Sequence, residues 1–124
     1  EQLSVVSDQI GAPTSAGALA EATALILRKR TGALGDACGV YHVTASGSTS
    51  WHGFASEIAR LEGFDAATRI RPIPSSEYPT AARRPANSRL SNAKLLEHFG
   101  IALPGWEESL KACLAPLRDS GRTT

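Results

Sequence analysis

Leu3-Ser4-Val5-Val6-Ser7 runs into Asp8-Gln9-Ile10-Gly11-Ala12-Pro13-Thr14 and then into Ser15-Ala16-Gly17-Ala18-Leu19. The β-branched opening reads as a strand. Gly11 and Pro13 break it, so residues 8–14 read as a turn. Thr14 or Ser15 offers an oxygen that can cap a helix reaching about Arg30. Ala18, Leu19, Ala22, Leu25 and Ile26 form its apolar stripe, and Arg28, Lys29 and Arg30 close it where the dipole favours cations. A strand turning tightly into a helix opens an α/β unit. Its turn falls at the carboxyl edge of the sheet, where such folds place ligands.

The same alternation continues outward. Gly39-Val40-Tyr41-His42-Val43-Thr44 reads as a second strand. Ser48 or Ser50 caps the next helix, in which Trp51, Phe54, Ala55, Ile58 and Leu61 keep helical spacing, and Gly63 ends it. Arg69-Ile70-Arg71-Pro72-Ile73-Pro74 suits an edge strand, because its prolines forbid a central one. Residues 75–89 read as irregular. Ser91 caps a short helix through Phe99, stopped by Gly100. Pro104-Gly105 starts a last helix with Trp106, Leu110, Cys113, Leu114 and Leu117 as its buried stripe, and the chain turns polar from Asp119. Both tryptophans read as core. The expectation is an α/β fold with a few short parallel strands and about four helices, residues 1–118 forming one lobe and 119–124 a flexible tail. Three strands make a thin sheet, better buried if a larger sheet continued from it.

Composition narrows the functions. The 124 residues are 42% hydrophobic and 20% charged with a net charge of +1, which suits a folded domain and argues against a nucleic-acid binder. No apolar run approaches the ~20 residues of a membrane span. Two cysteines imply no disulfide framework, and a cytoplasmic setting fits best. The chain has no Met and opens inside a strand, so it reads as a piece of something longer. Charge is uneven: residues 1–68 carry four basic and seven acidic side chains, residues 69–124 nine and five. Arg69, Arg71, Arg83, Arg84 and Arg89 face a single acid, Glu77, in their stretch. That is too few cations for a polyanion groove and enough to grip one small anion; arginines paired to acids elsewhere would give the same pattern.

No self-sufficient active site is visible. His42, His52 and His98 lack metal-ligand spacing, neither cysteine has a C-x-x-C partner, and G-x-S-x-G, G-x-G-x-x-G and P-loop motifs are missing. Glu107-Glu108 sit in a first helical turn, where the dipole explains them. Two stretches stand out: residues 8–14, and Tyr78-Pro79-Thr80-Ala81-Ala82-Arg83-Arg84-Pro85-Ala86-Asn87-Ser88-Arg89-Leu90, a long loop rich in hydroxyl, amide and guanidinium groups.

Those stretches carry a resemblance. Val5-Val6-Ser7-Asp8-Gln9-Ile10-Gly11-Ala12-Pro13-Thr14, Gly39-Val40-Tyr41-His42-Val43, Ser50-Trp51-His52-Gly53-Phe54-Ala55, Tyr78-Pro79-Thr80-Ala81, Arg84-Pro85-Ala86-Asn87-Ser88-Arg89-Leu90 and Gly105-Trp106 occur in order. Together they resemble the C-terminal part of the dTDP-4-dehydrorhamnose reductase family, extended short-chain dehydrogenases/reductases. The resemblance implies reduction of the C4 ketone of dTDP-4-dehydrorhamnose by NADPH or NADH. It also implies two parts: an N-terminal Rossmann-like cofactor domain, and the C-terminal sugar-nucleotide lobe this chain represents. The family's Tyr-x-x-x-Lys is missing, since Tyr41 is followed four residues later by Ala45 and Tyr78 by Ala82. Catalytic and cofactor residues are therefore expected upstream, and this chain alone is expected to be inactive. Ligand-side positions carried over are Asp8, Gln9, Pro13 and Thr14, then Tyr78, Arg84, Pro85, Asn87 and Ser88. Some family members hold Mg at a subunit interface, for which no ligand set is legible here, and a homodimer is compatible with the resemblance. A non-catalytic regulatory relative of the same fold, or a stand-alone interaction domain, remain the competing readings.

Overall fold

The computed structural model describes residues 2–29 and 38–120. The chain folds into two compact units. One runs to Pro13 and from Ser48 to Arg89; the other runs from Thr14 to Gly47 and from Leu90 onward. The stretch read as one lobe falls across these two units.

In the first unit, strands β1 (Leu3–Val6) and β4 (Ile70–Ile73) pair in parallel, with Leu3 opposite Ile70 and Val6 opposite Ile73. Pro72 faces Val5 without an N–H to donate, which an edge position tolerates. Helix α2 (Trp51–Leu61) packs on this pair, and Val6, Ala59, Ile70 and Ile73 are buried. Ser50 caps α2, its Oγ accepting from Gly53 N at 3.0 Å. Gly63, at φ +79°, carries the chain out of it. The sequence reading passes over a short helix, α3 (Ala66–Arg69), capped by Asp65. Between the ends of these elements lies a second, antiparallel pair of two residues each, β2 (Ile10–Gly11) and β3 (Thr49–Ser50).

The second unit is helical. Its core gathers Ala22 of α1 (Ala16–Lys29), Leu95 and Phe99 of α4 (Ala93–Phe99), and Ile101 and Leu103. Ser15 caps α1, and Gly100, at φ +61°, terminates α4. The expected stripe on α1 is buried only in part: Ala22 is fully covered, whereas Leu19 and Leu25 stay exposed. On α5 (Trp106–Ser120), Trp106 and Leu110 are buried but Cys113 is exposed, and the helix reaches into the stretch read as a tail. Residues 30–37 and 121–124 lie outside the described residues.

One expected strand is corrected. Residues 39–44 form no ladder among the described residues, so the expected three-stranded sheet is replaced by two separate pairs. Inward and outward side chains still occur without the sheet: Tyr41 and Val43 pack on the core, while Val40 is 82% exposed. Side chains take the place of a neighbouring strand. Asn92 Nδ2 donates to Thr44 O at 2.7 Å and its Oδ1 accepts from Thr44 N at 3.1 Å; Thr14 Oγ1 accepts from Ala45 N at 3.0 Å. His42 is therefore on an exposed extended segment rather than mid-strand.

Candidate functional site

The two stretches singled out in the sequence meet through their backbones. Ile10 N donates to Ala86 O at 2.8 Å, and Ser88 N donates to Ile10 O at 2.9 Å. On its other side Ile10 pairs with Ser50. Three segments distant in sequence thus form a narrow ribbon beyond the carboxyl ends of β1 and β4. Gly11 permits the closeness, because a Cβ there would stand 2.8 Å from Ser88 Oγ.

Cavities open around this ribbon. One of about 300 Å³ is walled by Ile10, Pro13, Trp51, Phe54 and Pro85, with Gln9, Arg84 and Ser88 among its polar neighbours. A second of about 750 Å³ is lined by Ser75, Ser76, Tyr78, Thr80, Arg83 and Arg84. A third of about 320 Å³ touches Val5, Val6, Trp51, Tyr78 and Arg84. Gln9 and Arg84 border all three, so the cavities form one cleft with an amide and a guanidinium at its centre.

The expected site residues divide by what their polar groups are doing. Asp8 is held by the fold: its carboxylate accepts from Ser75 N at 3.0 Å and from Ser75 Oγ at 2.9 Å. These bonds favour the ionised form and lower its pKa, the backbone N–H contributing most. Thr14 Oγ1 supports Ala45 in the second unit. Asn87 Oδ1 accepts from Arg89 N and Nε, and Ser88 Oγ donates to Ile10 O at 3.1 Å. Asp8, Thr14 and Asn87 line none of the three cavities; Pro13, Pro85 and Ser88 do.

Gln9, Tyr78 and Arg84 are different. Their side chains make no hydrogen bond or ion pair with another described residue, and each borders the cleft. Of the other arginines in the basic stretch, Arg71 donates to Ser4 Oγ, Arg89 to Asn87, and Arg69 lies 5.7 Å from the centre of the Phe64 ring, while Arg83 borders the second cavity without a side-chain hydrogen bond or ion pair to another described residue. A permanently charged fork without a partner, beside hydroxyls and an amide, can hold a phosphate or diphosphate.

Trp51 corrects the sequence reading. It was expected in the core, yet it is 54% exposed and borders two of the cavities. Helical spacing assigned it to the apolar face of α2, but it is the first residue of that helix, where no preceding turn covers it. Trp106, also expected in the core, is 7% exposed.

A parallel strand pair under a helix, with a polar cleft past its carboxyl ends, defines a ligand-binding α/β lobe. Residues 1–119 match the family model of the RmlD substrate binding domain, and the chain belongs to that family. It is 48% identical over 126 residues to a dTDP-4-dehydrorhamnose reductase of Burkholderia thailandensis, covering 94% of this chain and 42% of that protein. The solved structure of the dTDP-4-dehydrorhamnose reductase RfbD ortholog from Clostridium acetobutylicum superposes with a TM-score of 0.83 at 36% identity, covering 94% of this chain and 39% of that one. The Bacillus anthracis reductase, solved in complex with NADP, gives a TM-score of 0.77 at 33% identity over 90% of this chain and 37% of that one. The chain therefore spans about two fifths of the length of these relatives.

Proposed function

We propose that this chain is the sugar-nucleotide-binding part of a dTDP-4-dehydrorhamnose reductase, acting beside a Rossmann-like domain that lies outside these 124 residues. The reaction moves a hydride from NADPH to C4 of the keto sugar and a proton to its oxygen, giving dTDP-L-rhamnose and NADP⁺. The observation that carries this reading is the meeting of three uncommitted polar groups, from Gln9, Tyr78 and Arg84, in one cleft. The framing bonds of Asp8, Asn87 and Ser88 hold the loops that present them. Arg84 supplies a bidentate grip on the diphosphate, while Gln9, Tyr78 and Thr80 read hydroxyls. The residues that transfer protons and hold the nicotinamide cofactor belong to the other domain, as no glycine-rich loop or Tyr-x-x-x-Lys occurs here. A cytoplasmic, reducing setting suits such an enzyme.

The test is NADPH oxidation with dTDP-4-dehydrorhamnose. The full-length polypeptide turns over, and the 124-residue chain alone does not. In the full-length protein, Arg84→Ala raises KM for the sugar nucleotide by about tenfold or more, the loss of a charge-assisted hydrogen bond of roughly 1.5–3 kcal/mol. An unchanged KM refutes the assignment of Arg84; absent turnover by the full-length protein refutes the reductase reading.

A further inference from the structure

The parallel ladder of β1 and β4 ends on a side chain. Ser7 continues it one residue past Val6, its N–H and its hydroxyl both donating to Ile73 O, at 2.9 and 3.2 Å. Next along β4 comes Pro74, which has no N–H, so the ladder stops there. The following donor is Ser75 N, and Asp8 takes it. Both carboxylate oxygens lie 3.0 Å from that nitrogen, and Oδ2 also accepts from Ser75 Oγ at 2.9 Å.

Ser75 opens a 3-10 turn, Ser75–Glu77, whose preceding residue, Pro74, offers no side-chain cap. Asp8 supplies the cap from the end of the other strand. At the far end of the turn, Tyr78 N donates to Ser75 O at 3.1 Å. The residue that Asp8 grips is thus the one that holds the Tyr78 backbone, and Gln9 follows Asp8 directly in the chain. Gln9 and Tyr78 both border the cleft with uncommitted polar groups, whereas Asp8 lines none of the three cavities.

We infer that Asp8 is a positioning residue for the reaction: by capping the turn at Ser75 it fixes the spacing of Gln9 and Tyr78, and it touches no substrate itself. The inference rests on the sugar-nucleotide reading above. It moves Asp8 from the ligand-side group that the family resemblance implies to the frame that sets that group.

The test is NADPH oxidation by the full-length protein, with KM measured for dTDP-4-dehydrorhamnose and for NADPH. Asp8→Ala raises the first about fivefold, within reach of charge-assisted bonds at an exposed site, and leaves the second unchanged. Asp8→Asn keeps an oxygen for the Ser75 N–H and an amide N–H for its hydroxyl, and brings KM back to within about twofold of wild type. Asp8→Glu keeps the charge but adds a methylene that displaces the turn, and raises KM about threefold. In a Gln9→Ala/Tyr78→Ala background the Asp8→Ala effect shrinks below about 1.5-fold, because the groups it positions are gone. Asn92→Ala, which loosens the second unit, leaves both KM values at wild type and so controls for lost stability.

A wild-type KM in Asp8→Ala, or in Asp8→Glu where the alanine variant does not fold, overturns the inference. So does an effect that persists in the Gln9→Ala/Tyr78→Ala background, an Asp8→Asn as impaired as Asp8→Ala, or an equal rise in Asn92→Ala. Each of these leaves the reductase reading standing. No NADPH oxidation by the wild-type full-length protein overturns that reading, and the inference with it.

Discussion

Trp51 and Trp106 each open a helix, and the two helix starts have opposite fates. Trp106 is locked in. Its backbone N–H donates to Ser46 O at 3.1 Å, Ser46 N donates to Pro104 O at 2.9 Å, and Ser46 Oγ donates to Leu103 O at 2.7 Å. Gly47, at φ +80°, passes so close that a Cβ there would lie 3.2 Å from Trp106 Cδ1. Trp51 has a capped helix beneath it and open cleft beside it. The same residue at the same helical position is structural where backbone closes over it, and available to a ligand where it does not. Hydrophobic periodicity cannot tell these apart, because it records which face a residue shares and not what covers that face.

The sharpest way to break this contrast is truncation. Trp106→Ala removes a buried indole and is expected to lower stability by about 3–5 kcal/mol, whereas Trp51→Ala is expected to cost under about 1 kcal/mol. Urea unfolding followed by far-UV circular dichroism measures both. Similar losses would show that Trp51 is a packing residue after all.

A second pair sharpens it. Asn92 and Asn87 both make side-chain bonds to the chain, but with different stakes. Asn92 is half-buried and satisfies both the N–H and the carbonyl of Thr44, standing in for a missing strand. Asn87 is exposed and serves its neighbour Arg89. Asn92→Ala is expected to cost roughly 1–3 kcal/mol, because two backbone groups lose their partner. Asn87→Ala should stay within about 0.5 kcal/mol. Amide exchange at Thr44 gives an independent readout, accelerating in the first variant only.

These contrasts locate what the sequence could convey. Helix α2 was legible from end to end, because its cap, period and terminating glycine are local signals. So was the parallel edge strand at residues 70–73, marked by its proline. Residues 39–44 have the composition of a strand and form no ladder among the described residues, since a ladder depends on a partner elsewhere in the chain. The ribbon joining Ile10 to Ser50 and Asn87 gave no signal, because two-residue strands have no period to detect. The two loops of the site were visible as unusual, but their division into framing and free side chains was not. Asp8 meets a partner 67 residues away, and only the folded chain shows that its carboxylate is already engaged.

That engagement yields the smallest effect and the finest test of the division between framing and ligand-facing groups. The Asp8 carboxyl has its pKa lowered below the ordinary 3.8, chiefly by the Ser75 backbone N–H and next by the Ser75 hydroxyl. A group with a lower pKa folded than unfolded stabilises the fold above its unfolded pKa, and the contribution is lost as pH falls through the folded value. The stability profile should therefore be flat in this respect from neutral pH down to about pH 4 and decline only in stronger acid. Asp8→Asn should remove that acid-side component, read by urea midpoints across pH 2–5. Ser75→Ala deletes the hydroxyl but keeps the N–H, so the Asp8 titration followed by NMR should move part of the way back toward 3.8. A full return would assign the hydroxyl the dominant role. No movement would mean that the backbone N–H alone holds the carboxylate, and Asp8 would stay among the framing groups.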